Sequence, residues 1–105
     1  MYTYTPSING DVPPIFVVYP SVPTVLTIDF GGVFATGDYL SSGTWTFSSA
    51  GMTLTSSVPT PSTAASVNTF ANTMQRGETV FGHYVATSVA GKEESRSVKF
   101  LCEYI

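Results

Sequence analysis

One histidine, one cysteine and seven acidic residues make up nearly all the reactive chemistry in this chain. His83 lies between Gly82 and Tyr84, and alternation puts Phe81 and Val85 on its face rather than a nucleophile and an orienting acid. General-base catalysis needs a partner within hydrogen-bond reach, so His83 reads as structural. Cys102 stands between Phe100 and Tyr104 with no cation beside it to lower its pKa, and reads as a small buried hydrophobe. A lone cysteine makes neither an intrachain disulfide nor a Cys/His zinc cluster. Asp29 and Asp38 bracket Gly31, Gly32 and Gly37, but two carboxylates do not supply the roughly six oxygen ligands that calcium takes. Asp38 after Gly37 reads as a turn residue bonding its own backbone. Glu93-Glu94 reads as a solvated hairpin tip, and the remaining acids outline no glycosidase cleft. Gly91-Lys92 has Ala86 where a phosphate loop needs glycine and Glu93 where it needs Ser or Thr. No catalytic residue, metal site or cofactor site is expected.

Composition narrows the partners. The 105 residues are 43% hydrophobic and 13% aromatic, enough for one core. Only 10% are charged, and the net charge is −3. Arg76, Lys92, Arg96 and Lys99 are the only basic side chains besides His83, too few to track a phosphate backbone, so nucleic acid is not an expected partner. No window approaches the roughly 18 apolar residues of a membrane span, and no signal-peptide pattern opens the chain. Neither membrane association nor secretion is expected.

The elements that would position these residues alternate with a period of two. Leu26, Ile28 and Phe30 share one face, Trp45 and Phe47 another, and Met52 with Leu54 a third. Ile15–Tyr19 is an apolar run bounded by prolines, residues 78–89 make the longest β run, and Val98, Phe100, Cys102 and Tyr104 alternate to the end. Two prolines in 56–65 read as a loop crossing between sheets. About seven strands at regular spacing, without helical periodicity, predict an all-β fold: an immunoglobulin-like antiparallel β-sandwich spanning 15–105. A small closed barrel is the alternative. The expected core is Leu26, Ile28, Phe30, Trp45, Phe47, Leu54, Phe81 and Phe100, with Trp45 at its centre; a sugar-stacking surface role is the other reading of Trp45.

Residues 1–14 break the alternation and hold Pro6, Pro13 and Pro14. They read as an extended arm, either frayed or laid on a neighbouring subunit with Tyr2, Tyr4 and Pro6 as the contact residues.

Leu26-Thr-Ile-Asp-Phe30, Gly37-Asp-Tyr-Leu40, Ser42-Gly-Thr-Trp-Thr-Phe47 and Gly51-Met-Thr53 together resemble a family of small tailed-bacteriophage proteins. Val80–Thr87, Ala90-Gly91 and Arg96–Phe100 continue that pattern more loosely. Members of the family are similar to immunoglobulin-like domains and serve as virion structural proteins, often as fibre-to-tail adaptors. The resemblance implies a non-enzymatic virion protein, assembled in the host cytoplasm in multiple copies and held by contacts with tail, fibre or capsid proteins. A capsid decoration protein is the alternative within that class, and a carbohydrate-binding module the alternative outside it.

Overall fold

The computed structural model describes residues 2–10 and 12–103. Tyr104, placed by alternation on the last strand, lies outside them, as does Asp11 of the N-terminal segment. Eight strands follow in order: β1 (Tyr2–Tyr4), β2 (Ile15–Val18), β3 (Thr24–Asp29), β4 (Leu40–Phe47), β5 (Met52–Pro59), β6 (Ala65–Asn72), β7 (Thr79–Ser88) and β8 (Glu93–Cys102). No helix occurs among the described residues. One sheet has the order β1-β3-β6-β5 and the other β2-β8-β7-β4. The three-strand run β8-β7-β4 opposite a four-strand sheet is the immunoglobulin arrangement with β2 added beside β8. The chain is an immunoglobulin-like β-sandwich.

Two pairings depart from a purely antiparallel sandwich. β1 runs parallel to β3, with Tyr2 opposite Leu26 and Tyr4 opposite Ile28. β2 runs parallel to β8, with Phe16 opposite Phe100. The N-terminal arm is therefore a correction: its first residues are an edge strand of this sandwich. Tyr4 is 8% exposed, Pro6 is buried, and the Tyr2 hydroxyl donates to the Val17 carbonyl at 2.5 Å. Three residues are too few for alternation to reveal a strand, which is why the segment reads as irregular. That strand also raises the count to eight.

Residues 56–59 correct a second expectation. They complete β5, which forms a hairpin with β6 in one sheet, while the crossing between sheets is made earlier by the turn at 48–51. β5 is an edge strand, and Pro59 closes it where its missing N–H costs no ladder bond.

The core lies between Trp45 and Phe70, whose rings meet edge-on at 5.0 Å and 86°. Tyr84 packs on Trp45 at 4.8 Å and Phe100 on Phe70 at 5.3 Å. Leu26, Ile28, Phe30 and Phe100 are fully buried, while Phe47 and Leu54 are half-buried against the cluster. Phe81 is a correction. It is 48% exposed, because β7 turns Val80, Gly82, Tyr84 and Ala86 inward and Phe81, His83 and Val85 outward. Gly82 is required on the inner side: a Cβ there would stand 3.0 Å from the Trp45 ring and 3.1 Å from Phe100.

Candidate functional site

The outward face of β7 and β8 holds the one histidine. His83 Nδ1 lies 3.0 Å from Ser97 Oγ on the neighbouring strand, a contact invisible in sequence because the partner is 14 residues away. A base within reach of a hydroxyl is two-thirds of a catalytic triad. The third part is missing: cross-strand neighbours of His83 are Thr46 and Ser97, and Phe81 and Val85 flank it along β7. The pair also sits exposed on an open sheet, where water competes for every developing charge. Lys99 Nζ stands 5.8 Å from the Phe81 ring centre, a cation held over an aromatic face.

Cys102 is fully buried, and burial, with Glu78 and Glu103 contributing, pushes its thiol above the ordinary value of 9.0. Such a thiol is a poor nucleophile. The described residues contain no group of three or more His, Cys, Asp or Glu able to hold a metal ion. Trp45 is buried, with its indole N–H donated to Asn68, so it offers no face to a sugar.

The loops at one end of the sandwich are organised differently from this open face. The β3–β4 loop, the β5–β6 turn and the β7–β8 turn all emerge there, because β3, β5 and β7 run toward it. Phe30 starts the first loop with a single helical turn: the N–H groups of Val33 and Phe34 both reach its carbonyl, at 2.8 and 2.9 Å. Val33 and Phe34 thereby tuck into the core. The β5–β6 turn is stitched on by Leu40 N–H to the Thr63 carbonyl at 2.9 Å.

Asp38 then joins the two outer loops. Its Oδ1 accepts from its neighbour Tyr39 N–H at 3.0 Å and from Ala90 N–H at 3.2 Å, across the gap. The Ser88 side chain supplies the strongest contribution, and together with these N–H groups and the Lys92 charge it holds the carboxyl below its ordinary 3.8. Val89 N–H donates to the Tyr39 carbonyl at 2.8 Å. The backbone is thus fixed on both sides of Tyr39 and Val89, while the side chains point outward, 41% and 69% exposed. This ledge is an exposed apolar pair on a braced backbone. Sequence reasoning found the local Asx turn at Asp38 but missed its second partner, 52 residues away. Tyr2, Tyr4 and Pro6, expected as contact residues, are instead committed to the chain's own core and edge.

At the opposite end, a cavity of about 290 Å³ opens between β1, β2 and β3. Tyr2, Val17, Tyr19, Val22 and Val25 line it, and no titratable carboxylate, amine or imidazole joins them.

No known protein family matches the sequence, and no curated relative does. Among solved structures, the cysteine protease inhibitor EhICP2 from Entamoeba histolytica is similar in fold. The match covers 97% of this chain and 96% of that one, with a TM-score of 0.57 and 9% identity. At that identity the likeness is one of architecture, and fold does not carry function with it.

Proposed function

We propose that the protein is a non-enzymatic structural module of a bacteriophage virion, an adaptor that links tail fibre to tail by protein–protein contacts. The observation that carries a binding role is the braced ledge of Tyr39 and Val89. Rigid backbone beneath exposed aromatic and aliphatic side chains lowers the ordering cost of docking. The low charge density supports the same reading, since uncharged Ser and Thr surfaces are covered without desolvating ions. The virion setting is supported by the residue pattern from Leu26 to Thr53. Capsid decoration uses the same surface and differs only in the partner.

The likeness to a cysteine protease inhibitor favours a second reading, in which the ledge end occupies a protease cleft. Two assays separate them. In the first, the Tyr39→Ser, Val89→Ser double variant is compared with wild type for occupancy in gradient-purified particles and for melting temperature. The adaptor reading expects lost occupancy at unchanged stability; full occupancy overturns the role of the ledge. In the second, wild-type protein is titrated into papain. Stoichiometric inhibition, abolished by the same double variant, would replace the adaptor reading with the inhibitor one.

A further inference from the structure

We infer that β4 is a self-pairing edge, through which two copies of this chain join their β2-β8-β7-β4 sheets into one continuous sheet. The sandwich has four edge strands, β1 and β5 in one sheet and β2 and β4 in the other, all apart from the loop ledge. Exposed edges are hazards that folded proteins block with short strands, prolines, bulges or charges. β1 has three residues. β2 has four, sits between Pro14 and Pro20, and has its outward Val17 carbonyl already taken by the Tyr2 hydroxyl. β5 is interrupted by an irregularity between Leu54 and Ser56 and ends in Pro59. β4 alone is open. Its irregularity lies at its entry, between Leu40 and Ser42, so Gly43–Phe47 pairs regularly with β7 and leaves its other side free. No residue from Leu40 to Phe47 is charged or a proline.

The register of a β4–β4 pair follows from the ladder. Ser48 N–H bonds the Phe81 carbonyl at 2.9 Å, so Thr46 and Thr44 turn their backbone groups toward β7 by alternation. Gly43, Trp45 and Phe47 therefore turn theirs away, toward the open edge. These positions are symmetric about Trp45. An antiparallel partner in two-fold register sets Trp45 against its own counterpart and Gly43 against Phe47 of the second copy, each pair exchanging both of its bonds. Phe47, half-buried in one copy, gains cover from this arrangement, because its ring crosses a residue without a side chain. On the outer face, exposed Thr44 stands opposite Thr46 of the second copy, a pair that stabilises antiparallel strands.

Charge reversal at those two outward positions tests the pairing without touching the core. Wild type, Thr44→Lys with Thr46→Lys, and Thr44→Lys with Thr46→Glu are compared by sedimentation equilibrium from micromolar to millimolar concentration. Wild type is expected to dimerise reversibly, with amide exchange at Gly43, Trp45 and Phe47 slowing as concentration rises. The double-lysine variant sets like charges opposite each other twice and is expected to weaken dimerisation by about tenfold or more. The lysine–glutamate variant sets opposite charges together and is expected to match wild type or exceed it. A wild type that stays monomeric throughout, or two variants that associate equally, overturns the inference.

Discussion

Trp45 Nε1 donates to Asn68 Oδ1 at 3.1 Å, tying β4 in one sheet to β6 in the other through the middle of the core. Many sandwiches of this class place a disulfide against the central tryptophan; here the lone Cys102 is free. The amide does more than receive the indole. Its Nδ2 donates to the Leu26 carbonyl at 3.1 Å, and Ser57 Oγ donates to the same Oδ1 at 2.7 Å. A second tie runs parallel to it, Ser66 Oγ lying 3.1 Å from the Tyr84 hydroxyl. Buried polar groups of this kind stabilise one register when every member is satisfied and become costly when one is removed.

Asn68→Ala is accordingly expected to cost about 1–3 kcal/mol, since it strands the Trp45 indole N–H in the core. Trp45→Ala is expected to cost about 3–5 kcal/mol, chiefly through the cavity it leaves. Urea unfolding of the two single variants and the double variant checks both. Because one contact is shared, the double variant should lose less than the sum. Strict additivity would show that the 3.1 Å bond contributes nothing.

Gly43→Ala tests a different packing limit. A Cβ at this position would fall on the Tyr84 ring, which passes directly beneath β4 and is itself held by Ser66. Tyr84 is 1% exposed and has no room to retreat. A methyl group that ordinarily changes little on an exposed strand is expected here to destabilise by about 2 kcal/mol or more, within the range of overpacked cores. Thermal melts against Gly37→Ala provide no fair control, because Gly37 has φ of 84° and is strained by any side chain. Thr44→Ala, on the outward face beside it, is the appropriate comparison and is expected to be nearly neutral.

The alternating pairs explain how much of this was legible. Leu26, Ile28 and Phe30 announce their burial because polar residues separate them, and Trp45 with Phe47 does the same. β7 defeats that logic. Val80-Phe81-Gly82-His83-Tyr84 has an apolar or small residue on both faces, so volume suggests that Phe81 is inside when the inner place belongs to Gly82, under the Trp45 and Phe100 rings. β6 defeats it in the opposite way: Asn68 and Asn72 face inward with Phe70, and polar residues at core positions reverse the apparent register. Asn72 is there to accept from Ser21 N–H and donate to the Tyr19 and Val22 carbonyls, bonds more than 45 residues distant in sequence. The ledge was legible only in its local half, because Asp38 to Tyr39 is a neighbour contact and Asp38 to Ala90 is a product of the closed fold.

The N-terminal segment yields a prediction opposite to that of a detachable arm. Deleting residues 1–12 removes the buried Tyr4 and Pro6, the Tyr2–Phe16 ring contact at 5.0 Å, and the Ser7 carbonyl that accepts from Arg96 at 2.7 Å. Arg96 would then keep its charge beside a newly opened edge of the core. Loss of Tyr4 alone should cost about 2–4 kcal/mol, by analogy with other large-to-small core changes. The truncated chain is expected to melt well below wild type and to bind a hydrophobic dye. An unchanged melting temperature would return these residues to the status of a frayed end.

Asp38 makes the ledge sensitive to acid in a direction that can be worked out. The Ser88 bond, with the Ala90 and Tyr39 N–H groups and Lys92, holds the folded carboxyl below its ordinary 3.8. A carboxylate depressed in the fold contributes its anchoring fully above the unfolded value and loses it as pH falls through the folded one. Bracing of Tyr39 against Val89 is therefore expected to persist at neutral pH and to be released only under acid. The group is solvent-facing, so the effect is local to the two loops and also weakens with salt. Amide exchange at Ala90 and Tyr39, followed as pH is lowered and corrected for intrinsic rates, should show loss of protection in a single titration step. Asp38→Asn retains an oxygen acceptor but no charge, and is expected to remove that step while leaving the strands around it protected. A step that survives in Asp38→Asn would separate the acid response of the two loops from the Asp38 carboxylate.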